Sequence, residues 1–146
     1  MSAERDRMIE TLKEYVIPVL RKKGFKGSFP HFRRPTDAAI QLLTFQFDKW
    51  GGSFVIEIAV CPPKGFTTHW GKFIPPTEIR AWDIKKRFRL GASDENSDGH
   101  WFKYGKRGLF SLGDPYEKAA LEILPFLDEA ESWWKQAKVI DENEIP

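Results

Sequence analysis

The sequence predicts an α+β domain: a mostly antiparallel sheet of about four to six strands, with N-terminal and C-terminal helices packed on one face of it. Three observations carry that prediction. Apolar residues recur at spacings of three and four only near the two ends of the chain. Between those ends the period falls to two, over residues 38–50 and 53–61. Those two alternating runs are joined by Gly51-Gly52, a pair that suits a two-residue hairpin turn with positive φ. A chain of 146 residues suits one domain, 1–146, with enough length to bury a core without staples.

Each element has its own justification. Residues 2–23 predict a helix whose buried face is Ile9, Leu12, Val16, Val19 and Leu20, with Ser2 as cap and Gly24 as stop. Pro18 removes an internal amide and predicts a kink or an early end. Residues 29–34 form a short strand closed by Pro35. In the next strand Leu43, Phe45 and Phe47 share one face, and Ile40, Leu42, Thr44 and Gln46 the other. Residues 53–61 return with Phe54, Ile56, Ile58 and Val60 on one side, and Ser53, Val55, Glu57, Ala59 and Cys61 opposite. Prolines at 62, 63, 75 and 76 turn residues 62–81 into a long connection. Residues 82–90 alternate again, with Trp82, Ile84, Phe88 and Leu90 inward, and Asp83, Lys85, Arg87 and Arg89 on a wet outer face. Turn residues 91–99, a short strand 100–104 and a glycine-rich loop 105–113 follow. The closing helix, 114–137, has Asp114 as cap, Pro115 at its first position and Glu117 completing a capping box. Its stripe runs from Tyr116 through Ala119, Ala120, Ile123, Leu127, Ala130 and Trp134 to Ala137, and Pro125 threatens one internal bond. Residues 141–146 read as an acidic tail.

Several short stretches carry a resemblance. Gly24-Phe25-Lys26, Phe32-Arg33-Arg34, Phe45-Gln46, Lys49-Trp50-Gly51 and Phe54-Val55-Ile56, followed by Arg89-Leu90 and Trp101-Phe102, are similar to a bacterial family of domains of unknown function, number 4304. The resemblance runs from about Leu12 to Tyr104. Glu57 and Ala59 stand where it implies a small polar residue and a glycine. It implies the helix-flanked sheet and no particular activity.

Composition narrows the functional classes. Twenty-three basic and 21 acidic side chains leave a net charge of +2, too balanced for a polyanion binder by default. The lone cysteine, Cys61, cannot form an internal disulfide, which fits a reducing, cytoplasmic setting. No apolar run reaches the roughly 18 residues that a membrane span needs, and the Met1 end has no apolar signal core. His31, His69, His100 and Cys61 show no zinc-site spacing, so no metal and no cofactor is expected. Residues 94–99 begin like a calcium loop, but the twelfth position holds Gly105 instead of Glu, and a polar turn is the better reading. No nucleophile-elbow, zincin or phosphate-loop motif is present, and Cys61 reads as a small buried hydrophobe.

Two features remain as candidate sites. Glu57 lies inside Val-Ile-Glu-Ile-Ala, where a carboxylate is costly unless it is wet or paired, with Arg33, Arg34 or Arg89 as candidate partners. A ligand pocket built on Arg33, Gln46, Glu57 and Arg89 is one functional reading. The other rests on Phe66, Trp70 and Phe73, large aromatics in a proline-bounded connection that either plug a core edge or anchor a partner. Lys85, Arg87 and Arg89, with Lys103, Lys106 and Arg107, also mix with aromatics as single-strand nucleic-acid binders do, but Asp83 shares their face and the pI of about 8.6 falls short of a basic footprint. The sequence therefore favours a small, non-catalytic binding or protein-interaction domain, with self-association or docking in the manner of an immunity protein as its modes. A small-ligand binder or enzyme is the alternative, and a single-stranded nucleic-acid binder the second alternative.

Overall fold

A computed structural model describes residues 2–92, 98–105, 113–137 and 139. The N-terminal helical segment breaks where its proline requires. Helix α1 spans Ala3–Tyr15 and α2 spans Ile17–Lys22, with Val16 between them. Pro18 lacks the amide that would bond the Glu14 carbonyl, so the first helix ends before it and the second begins around it. Ser2 caps α1 by accepting from the Arg5 amide. Gly24, at φ +97°, ends α2: its amide bonds the Arg21 carbonyl and the Phe25 amide bonds that of Leu20. That pair of bonds is the left-handed glycine stop of a helix.

Strands β1 (Lys26–Ser28), β2 (His31–Pro35), β3 (Ile40–Phe47) and β4 (Ser53–Cys61) form an antiparallel sheet in that order. Two short strands, β7 (Phe88–Arg89) and β8 (Phe102–Lys103), pair with β4 on its other side. Strand β4 matches its predicted bounds, while the predicted strand at 38–50 shortens to 40–47. The connection between them has five residues, 48–52, closed by bonds from the Asp48 amide to the Ser53 carbonyl and from the Gly51 amide to the Asp48 carbonyl. Gly51 and Gly52 both take positive φ, +89° and +83°. The extra length follows from Asp48, whose side chain accepts from the Trp50 amide and starts the turn early.

Helix α3 (Pro115–Gln136) is capped by Asp114, which accepts from the Tyr116 amide, and it continues through Pro125. Both helical segments pack on the same sheet face. Met8, Leu12, Val16 and Leu20 meet Phe32, Leu43, Phe45, Phe54, Ile56 and Ile58, and Ala120, Ile123, Leu127 and Trp134 close the layer from α3. Each Val, Leu, Ile, Phe or Met side chain among them, fully buried, contributes about 1.5–3 kcal/mol.

Two stretches differ from their sequence reading. Residues 82–90 are not one strand: a 3-10 turn occupies Ala81–Asp83, and pairing begins only at Phe88. The Asp83 carboxylate accepts from the Arg80 amide and caps that turn, a local bond that outcompetes extension. Trp82, expected inward, is consequently 45% exposed. Residues 62–81 are more than a connection. They carry a small hairpin, β5 (Phe66–Thr67) with β6 (Phe73–Ile74). Phe66, Ile74, Ile79, Ala81 and Ile84 then cover Ile40, Leu42, Ala59 and Cys61 in a second core on the outer sheet face.

Candidate functional site

Alternation along each strand places one polar row across the outer face. In register, Ser28 of β1 stands beside His31 of β2, His31 beside Thr44 of β3, Thr44 beside Glu57 of β4, and Glu57 beside Arg89 of β7. Thr44 is fully buried and Glu57 only 4% exposed, so the middle of this row is a wall of the second core, while His31 and Arg89 are half-buried and Ser28 is exposed. Its polar groups are paired as burial demands. His31 Nδ1 lies 3.0 Å from Thr44 Oγ1. The Glu57 carboxylate takes Arg87, with Nε to Oε2 at 3.3 Å, and Arg87 also donates to the Trp82 carbonyl at 3.1 Å. Arg87 thereby ties the buried carboxylate to the 3-10 turn. Trp82 packs edge-on to His31 with ring centres 4.4 Å apart, and Arg80 lies 5.1 Å above its ring. Burial holds the His31 imidazole below its ordinary 6.5, Arg80 lowers it further, and Asp83 opposes both.

The four candidate ligand residues do not converge. Glu57 and Arg89 are register neighbours, but the Arg89 guanidinium turns to the Asp98 carbonyl, 3.4 Å away, and to the face of Trp101. Gln46 shares the face one pair further along, beside Val55, and is exposed. Arg33 lies on the other side of the row, two strands from Glu57, beside Leu42. The carboxylate's partner is Arg87 instead of Arg33, Arg34 or Arg89, because residue 87 precedes β7 and its side chain is free of the strand's alternation. Arg34 points to the opposite face. It pairs with Glu131 of α3 at 2.8 Å, donates to Gln41 at 2.6 Å and to the Lys23 carbonyl at 3.2 Å, and stacks on Phe25.

The three candidate aromatics separate as well. Phe66 is 2% exposed and fills the second core, whereas Trp70 is 68% and Phe73 55% exposed. The hairpin that carries them is internally braced. The Thr68 amide and hydroxyl both donate to the Lys72 carbonyl, the Lys72 amide returns a bond to the Thr68 hydroxyl, and Gly71 closes the tip at φ +92°. Trp70 sits at that tip, edge-on to His69.

Cys61 is fully buried, and burial, aided by the charge of Asp83, pushes its thiol up to about 12. At neutral pH it is a protonated thiol rather than a nucleophile. Among the described residues no group of three or more His, Cys, Asp and Glu side chains could hold a metal ion, and no helix is long and apolar enough to cross a membrane. The calcium-like stretch 94–99 lies mostly outside the described residues, as do Lys106, Arg107 and the tail 141–146. Lys85, Arg87 and Arg89 do not form the strand-borne basic stripe expected for single-stranded nucleic acid, since only Arg89 is in a strand and Arg87 is drawn to Glu57.

Sequence reasoning missed His31, Thr44, Trp82 and Arg87. A signal existed for the first two: period two already places His31 with Arg33 and Thr44 with Gln46 on the outer face. A model of the family described as Domain of unknown function (DUF4304) matches residues 16–112, more than half of the chain. No curated protein and no solved structure matches.

Proposed function

The chain belongs to the DUF4304 family, and we propose that it acts as a non-catalytic protein-interaction domain that docks through the β5–β6 hairpin. One observation carries this reading. The hairpin is braced by bonds between Thr68 and Lys72, yet it holds Trp70 and Phe73 largely in water. A rigid, exposed aromatic pair is what a binding anchor requires, because little side-chain and loop entropy is left to lose on docking. Charge supports a choice of partner. Residues 62–77 include Lys64 and Lys72 and no carboxylate, so they suit a protein surface with an acidic rim around an apolar pocket. The buried thiol of Cys61 and the engaged carboxylate of Glu57 favour binding over catalysis. In this reading the protein works in a reducing bacterial cytoplasm, in the manner of an immunity protein.

The test places a photo-crosslinking phenylalanine analogue at position 70 of the full chain, in the producing cell. A discrete heterologous adduct is expected, lost when Lys64→Glu and Lys72→Glu are added. The same analogue at Leu121, exposed on α3, should give none. Equal adducts from both positions, an adduct indifferent to the charge reversals, or crosslinking only to a second copy of this chain would overturn the reading.

A further inference from the structure

Among the described residues, every arginine except Arg33 delivers its guanidinium to an oxygen. Arg7, Arg34, Arg80 and Arg87 reach carboxylates, and Arg5, Arg21 and Arg89 reach backbone carbonyls. Arg33 is half-buried, and its cross-strand neighbour is Lys26, a like charge. Placing two cations opposite each other costs stability unless something anionic offsets them.

Arg33 also lines a concavity of about 320 Å³ between the β1–β2 hairpin and residues 78–80, with Ser28, His31, Glu78 and Arg80 around it. That volume lies at the small end of ligand sites. Gly27 forms part of its wall at φ +108°, where a Cβ would lie 2.5 Å from the His31 carbonyl and 3.5 Å from Arg33 Nη1. Only glycine fits that close backbone approach, and its lack of a side chain leaves the guanidinium open on that side. The sole carboxylate in the lining, Glu78, is exposed and screened by water, whereas Arg33 is half-buried and Arg80 already bears on His31.

We propose that this concavity binds a small oxyanion, a phosphate monoester or a carboxylate, seated on Arg33. The planar guanidinium offers two parallel N–H donors to such a group, the Ser28 hydroxyl adds a third, and Arg80, whose Nε pairs with Asp83 at 3.5 Å, stands at the rim as a second, partly offset cation. The site is separate from the β5–β6 hairpin and stands or falls independently of the docking reading.

Amide and arginine side-chain NMR of the full chain tests it, with phenyl phosphate and benzoate as parallel probes. Saturable shifts are expected at Gly27, Ser28, Arg33 Nε–H and Arg80, with half-saturation at about 1 mM or below. Arg33→Ala should weaken binding at least about tenfold, Arg33→Lys should weaken it less, and Arg89→Ala should leave it unchanged. The probe that binds more tightly identifies whether phosphate or carboxylate is the natural group. Absence of shifts up to about 10 mM of either probe, equal affinity in Arg33→Ala, or shifts centred on Arg89 and Lys103 would overturn the proposal.

Discussion

The two faces of the sheet are buried by different means. On one side, α1, α2 and α3 lay continuous apolar stripes over Leu43, Phe45, Phe54, Ile56 and Ile58, and every one of these strand side chains is at most 3% exposed. On the other, a segment with four prolines crosses the strands with only a hairpin of two-residue strands and one 3-10 turn as regular structure, and drops single side chains onto them: Phe66, Ile79, Ala81 and Ile84. Helices satisfy their own backbone and can cover a sheet with apolar surface alone. An irregular cover cannot, so polar side chains come with it: Asp83 capping the 3-10 turn, Arg87 reaching both Trp82 and Glu57, and Thr68 bracing the hairpin. The helix side is therefore a stability layer, whereas the outer side leaves exposed tryptophans and an unpaired arginine at its edges.

The adjacent pair Arg33-Arg34 shows the same contrast within two residues. Alternation sends Arg34 into the helix side, where Glu131, Gln41 and the Lys23 carbonyl hold it, and Arg33 onto the outer side, where nothing among the described residues does.

Three perturbations break or sharpen this comparison. The largest effect belongs to the helix-side core. Phe54, fully buried and in ring contact with Phe45, Phe47, Phe102 and Tyr104, should cost about 3–5 kcal/mol when changed to Ala, read as a lowered urea midpoint at constant slope. Ile79→Ala in the outer core should cost about 2–3 kcal/mol, because an irregular cover collapses more readily into the space left behind. Equal costs would mean that the two layers are packed alike.

The second compares the twin arginines. Arg34→Ala leaves the Glu131 carboxylate and the Lys23 carbonyl without their partner in a partly buried setting, and about 2 kcal/mol of stability should be lost. Arg33→Ala should change stability by no more than about 0.5 kcal/mol. A large loss from Arg33→Ala would show that this residue is a structural tie and would remove the reason for assigning it a ligand.

Much of this division was legible in the sequence. The period-two runs at 40–47 and 53–61, the terminal stripes and the glycine pair between β3 and β4 are local signals, and local signals survive into the fold. Ile40, Leu42, Ala59 and Cys61, apolar on the face turned away from the helical stripes, also signalled a second cover. The identity of that cover was not legible. Residues 62–84 have no period, and their packing depends on long-range contacts. Arg87 meets Glu57 only because the turn at Ala81–Asp83 interrupts a pattern that reads as a strand. The separation of Arg33 from Glu57 follows from register across three strands, which no single segment encodes.

The smallest expected effect concerns pH and belongs to the outer face. His31 is half-buried against Thr44 and the Trp82 ring, with the Arg80 cation lowering its proton affinity and the Asp83 carboxylate raising it by a smaller amount. Its proton affinity in the folded chain is below the ordinary 6.5, so between that value and its lower folded value the unfolded chain binds more protons. Stability from this group is complete above about pH 6.5 and is lost as the pH falls through that window towards the folded value. Urea midpoints measured from pH 7.5 down to 5.5 should fall with acidification, and the fall should be shallower in His31→Asn, which does not titrate and still offers Thr44 a hydrogen bond. Phe54→Ala, on the helix side, should shift all midpoints down without altering their dependence on pH. If His31→Asn and the unaltered chain lose stability in parallel, the polar row does not hold His31 neutral, and the outer face titrates no differently from the rest of the molecule.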